Sequence, residues 1–97
     1  MTERARVIVV ADDLIWSSRL VEAVRRAGGE PVPCATAAAV SAALAADPLP
    51  AGAIVDLWAR RYDGAATVRT VVAAGIPAIA VAEHDDQPTR ATALAAG

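Results

Sequence analysis

The chain has 97 residues, 56% hydrophobic and 21% charged, which suits one small globular domain with a single core and excludes a disordered segment. Its net charge of −2 sets 11 acids against 9 basic residues, all arginine, and leaves no electrostatic footprint for nucleic acid. No apolar run approaches the roughly 20 residues of a membrane span, the N-terminus lacks a signal-peptide pattern, and the lone Cys34 excludes an internal disulfide or a Cys-based zinc site, so the expected location is the cytoplasm.

In chain order, "RVIVVA" (6–11) is a β-branched run of the kind buried on both faces of a parallel sheet. The next stretch, "LIWSSRLVEAVRRAGG" (14–29), predicts a helix with Trp16, Leu20, Ala23, Val24 and Ala27 on one face and Asp13 available as its N-cap. Arg25 and Arg26 suit its last turn, and Gly28-Gly29 stops it. "EPVPC" (30–34) is too proline-rich for a central strand and reads as a short edge strand. Thr36 can cap "AAAVSAALAA", and Asp47-Pro48 closes that helix. "GAIVDL" (52–57) predicts a second buried strand that ends on Asp56. "GAATVRTVVAAG" (64–75) predicts a helix with Val68, Val71 and Val72 inward and Gly75 as its stop. "IPAIAVA" (76–82) predicts another buried strand, and "QPTRATALAAG" (87–97) opens a fourth helix with Pro88 in its first turn.

Strands and helices therefore alternate through short connections, the pattern of a doubly wound α/β sheet. Such folds bind ligands beyond the carboxyl ends of their strands. The acids gather at those ends: Asp12 and Asp13 after the first strand, Asp56 at the end of the third, and Glu83, Asp85 and Asp86 after the fourth. His84 reads as a solvated loop residue, since no nucleophilic Ser or Cys pattern accompanies it. Trp16 and Trp58 read as core or half-buried packing residues, and Arg60-Arg61 as an exposed pair or a partner contact. A nucleotide-binding loop needs glycine after the first strand, and "VVADDLIW" has none.

The pieces "VIVVADD", "IVDLWARRYDG", "AAGIPAIAVAEHDD" and "RATALAAG" fall in the order and spacing of one family. Through them the chain resembles the receiver domain of bacterial two-component response regulators, the CheY-like superfamily. The resemblance implies a flavodoxin-like parallel sheet of order 2-1-3-4-5. Here the order would be 2-1-3-4, with the fifth strand and helix missing, so residues 1–97 are expected to form one C-terminally incomplete receiver-like domain. It also implies a phosphoacceptor, Asp56, that takes a phosphoryl group from a sensor kinase. A carboxylate attacks an anionic phosphoryl group poorly, so a hard cation, usually Mg²⁺, must sit beside it on oxygen donors. Matched by motif, those donors are Asp12, Asp13, Asp56 and the Trp58 backbone carbonyl.

The chain also departs from the family pattern. Ala11 stands at the first of the paired acid positions, and the usual proline after the acceptor is absent from "WARRY". Ala82 stands at the switch position, where the family has a Ser or Thr hydroxyl for a phosphoryl oxygen. The family's lysine follows a fifth strand, and this chain contains no lysine. The expectation is an atypical receiver, or pseudo-receiver. It would be a signalling and protein-interaction module without enzymatic turnover, not stably phosphorylated, with a weakly held Mg²⁺ at most. A phosphorylation-competent, Mg²⁺-dependent receiver and a small-molecule sensor using the acidic crevice are the alternatives. Its partner would be a sensor kinase or a downstream effector, with neither nucleic acid nor membrane. The unprotected edge of "PAIAVA" suggests a homodimer through the fourth strand and fourth helix.

Overall fold

The alternation of β-branched runs with capped, alanine-rich segments produces alternating strands and helices in the computed structural model, which describes residues 4–46 and 48–81. They are β1 (Arg6–Val10), α1 (Leu14–Arg26), β2 (Glu30–Cys34), α2 (Ala37–Leu44), β3 (Gly52–Asp56), α3 (Gly64–Ala73) and β4 (Ala78–Val81). The four strands pair in parallel in the order β2-β1-β3-β4, as the sequence predicts. Val10 lies level with both Cys34 and Val55, so the chain leaves β1 beside the end of β3. Among the described residues no helix is long and apolar enough to cross a membrane.

Caps set the helix starts. Asp13, Thr36 and Asp63 each accept a hydrogen bond from the backbone N–H three residues on, satisfying one of the donors a helix start leaves open. Gly28 and Gly75 follow the ends of α1 and α3 with φ of 87° and 84°, a left-handed region that costs glycine little. β2 is an edge strand, where Pro31 and Pro33 can forgo a ladder N–H.

The main core lies on one face of the sheet. Ile8 and Val10 of β1 and Ala53 and Val55 of β3 pack there with Val40 of α2, Val68 and Val71 of α3, and Ile76. Val9 points to the opposite face by strand alternation and is buried, as is Val24 of α1.

Several expected packing positions differ. In α3 the buried set is Gly64, Thr67, Val68 and Val71, whereas Val72 is exposed. Those positions follow an i, i+3, i+4, i+7 stripe, and Val72 falls about 90° from its centre at 100° per residue. In α1 Val24 is buried, Trp16 and Leu20 are half-buried, and Ala23 and Ala27 are exposed. Its inner stripe runs through Trp16, Ser17, Leu20, Val21 and Val24, rotated away from the expected one. β4 is not buried on both faces: Ala78 and Ala80 pack against the main core, but Ile79, on the other face, is 63% exposed. The expected fourth helix, together with Ala82, Glu83, His84, Asp85, Asp86 and Asp47, lies outside the described residues.

Candidate functional site at the carboxyl ends of β1 and β3

β3 runs as a buried apolar strand into Asp56, which is only 3% exposed. Its side chain turns back on the chain, with Oδ1 accepting from the Trp58 N–H at 2.9 Å, an Asx turn that starts the β3–α3 loop. Asp12 comes two residues after β1. Its Oδ2 accepts from two successive amides of that loop, Arg60 N–H at 2.7 Å and Arg61 N–H at 2.9 Å. Partial desolvation pushes the Asp12 carboxyl up, but the Arg60 and Arg61 amides, with the nearby Arg61 charge, outweigh it and hold the group below its ordinary value. Asp13 is placed differently: its Oδ1 accepts from the Trp16 N–H at 2.9 Å as the N-cap of α1.

Tyr62 closes the loop and is the site residue that sequence reasoning missed. Its ring is buried in the main core, and its hydroxyl lies 2.7 Å from the Val10 carbonyl oxygen and 2.8 Å from that of Asp56. One proton thus serves two strand ends. Burial first, then the charges of Asp56 and Asp12, drive the Tyr62 hydroxyl pKa far above its ordinary value. Asp12 and Asp56 thus bond to one and the same loop, Asp12 through the Arg60 and Arg61 amides and Asp56 through the Trp58 amide and the Tyr62 hydroxyl. A tyrosine just before the capping Asp63, in the loop between β3 and α3, was the available signal, but only strand register gives it meaning.

The next residue explains the Asp-Gly pair. Asp63 caps α3 by accepting from the Ala66 N–H at 3.0 Å. A Cβ on Gly64 would sit 2.9 Å from Leu57 Cα, so the loop can fold back over the helix start only with glycine there. Trp58, expected as a packing residue, is 45% exposed, and the Arg60 and Arg61 side chains are exposed beside it.

The structure therefore brings Asp12, Asp56 and Trp58 to one end of the sheet and gives Asp13 to a helix cap. Among the described residues no three acidic, histidine or cysteine side chains gather closely enough to hold a metal ion. A surface depression lined by Arg4, Arg6, Glu30, Pro48 and Leu49 lies at the opposite end of the strands, away from these acids.

No protein-family model matches the chain, and no curated protein matches it. Solved structures do. The response regulator receiver protein from Pseudomonas putida superposes with a TM-score of 0.81 at 22% identity, covering 100% of this chain and 83% of that one. NtrX from Brucella abortus, solved in complex with ADP, gives a TM-score of 0.84 at 21% identity over 98% of this chain, which spans only 22% of the NtrX chain. A response regulator protein from Burkholderia pseudomallei, solved with a phosphorylated aspartic acid, a calcium ion and citrate, gives 0.79 at 14% identity over 96% of this chain and 55% of that one. With strand order 2-1-3-4 and near-complete superposition, the chain has the CheY-like, flavodoxin-like fold of response regulator receiver domains.

Proposed function

We propose that this chain is an atypical receiver: a cytoplasmic signalling module that works by binding a protein partner, without enzymatic turnover, and is not stably phosphorylated. The observation that carries the proposal is the state of Asp56, 3% exposed with one carboxylate oxygen already accepting the Trp58 N–H. A phosphodonor must reach that carboxylate, and the product would add about two negative charges beside Asp12. Ala82, at the family's switch position, has no hydroxyl to receive them. The partner is a sensor kinase or a downstream effector. A second copy of the chain packing along β4, where Ile79 is 63% exposed, would cover that edge.

The alternative is a phosphorylation-competent receiver with Asp56 as acceptor. It draws on the position of Asp56 at the carboxyl end of β3 and on the phosphorylated aspartic acid in the Burkholderia pseudomallei regulator. A divalent cation would supply charge neutralisation there, and Asp12, Asp56 and the Trp58 carbonyl are the donors that would hold it. Binding would be weak, because Asp13 serves α1 and one Asp12 oxygen serves the loop amides.

Intact mass after incubation with acetyl phosphate and Mg²⁺ tests the proposal. The expected result is an unmodified mass. A stoichiometric gain of one phosphoryl group, lost in Asp56→Asn, would establish the phosphorylation-competent receiver instead.

A further inference from the structure

Asp12 meets the β3–α3 loop across 48 residues of chain. Two successive N–H groups converge on its single Oδ2, at 2.7 and 2.9 Å, the arrangement of a backbone nest around an anion. Both bonds are charge-assisted and stronger than neutral ones. A carboxylate oxygen offers about two lone-pair directions, so Oδ2 is fully used. The loop is also held on either side of this nest, by the Trp58 N–H on Asp56 and by the Tyr62 hydroxyl on Val10 and Asp56. The donor set the resemblance assigns to a cation is thus already engaged at one oxygen each of Asp12 and Asp13. A cation on Asp12 Oδ2 has to displace two amides, and among the described residues no three acidic, histidine or cysteine side chains gather closely enough to hold a metal ion.

We infer that Asp12 is a positioning residue for the β3–α3 loop rather than a resident metal ligand. Its charge pins the Arg60–Arg61 backbone and presents the exposed Trp58, Arg60 and Arg61 side chains in one conformation. A surface carrying Trp and Arg on a backbone already ordered loses little freedom when a partner binds, which is where preorganisation raises affinity. The inference rests on the two hydrogen bonds of Asp12 and stands against the cation-dependent alternative, in which Asp12 would serve Mg²⁺.

Amide hydrogen exchange of the whole chain, followed by NMR without metal, tests it. In the native protein the Arg60 and Arg61 amides are expected to be protected. Asp12→Ala should speed their exchange at least about tenfold, the loss of bonds to a charged acceptor. The amides of Val9 and Val55 stay slow and report an intact fold. Asp12→Asn, which keeps an acceptor oxygen but no charge, should retain part of the protection, a rescue that metal ligation does not predict. Without metal, two outcomes overturn the inference: equal exchange of both amides in Asp12→Ala and the native protein, or unprotected Arg60 and Arg61 amides in the native protein. The second needs no variant and holds even if Asp12→Ala does not fold. Loss of this protection in millimolar Mg²⁺ would likewise overturn it, because Asp12 would then be serving the cation.

Discussion

The Tyr62 hydroxyl lies 2.7 Å from the Val10 carbonyl oxygen, tying the residue that precedes the α3 cap to the last residue of β1. The same hydroxyl reaches the Asp56 carbonyl oxygen at 2.8 Å, so one buried side chain bridges two neighbouring strand ends. Tyr62→Phe keeps the ring and leaves those carbonyls without this donor. It is expected to lower the unfolding free energy by about 1–2 kcal/mol. For a domain of this size that corresponds to a Tm drop of roughly 4–8 °C per kcal/mol. An unchanged urea midpoint would show that the bridge contributes nothing.

Gly64→Ala places a methyl group 2.9 Å from Leu57 Cα and 3.1 Å from its Cδ2. Alanine is the better helix former by about 1 kcal/mol, so propensity alone predicts stabilisation. Overpacking against backbone should win, for a net loss of about 1–3 kcal/mol in chemical denaturation. A stabilised variant would mean that the loop shifts freely at Leu57.

Two pH limbs follow from the site and the core. The Asp12 carboxyl is held below its ordinary value, so it favours the fold at neutral pH, and that contribution is lost as pH falls through the carboxylate range. Burial raises Cys34, and Tyr62 is raised by burial together with Asp56 and Asp12. The native state therefore keeps protons that the unfolded chain releases at high pH. Stability should decline once pH passes the unfolded thiol value of about 8.5, and more steeply above the tyrosine value of about 10. Denaturation midpoints across pH check both limbs. A stability that rises above pH 9 contradicts the second.

Mg²⁺ should stabilise the chain only slightly. If its dissociation constant is near the millimolar concentration added, the gain is about 0.4 kcal/mol, or roughly 2–3 °C in Tm. A rise several times larger would reveal a built cation site that the hydrogen bonds of Asp12 and Asp13 argue against.

A homodimer through β4 should appear as concentration-dependent sedimentation, and Ile79→Asp should abolish it by putting a charge on the exposed face of the strand. A concentration-independent monomer would remove the dimer.

Much of this fold was legible locally. The β-branched run around Ile8, Val9 and Val10 marks a buried strand, and Asp13, Thr36 and Asp63 mark helix starts, because capping acts over three residues. Pro31 and Pro33 consign β2 to an edge by removing donors, again a local effect. Alternating elements then leave few sheet topologies, which is why Asp56 could be placed at the carboxyl end of its strand from the sequence alone. The exposures of Val72 and Ile79 were not legible, since apolar residues lie inside only where a neighbouring element covers them. Nor was the use of the acids. Asp12 holding Arg60 and Arg61, and Tyr62 bridging Val10 and Asp56, join residues about fifty apart whose meeting depends on the parallel register of β1 with β3. Sequence determined which groups stand at the strand ends; only the tertiary structure decided what each one bonds, because hydrogen bonds form over about 3 Å and only the folded sheet brings these groups that close.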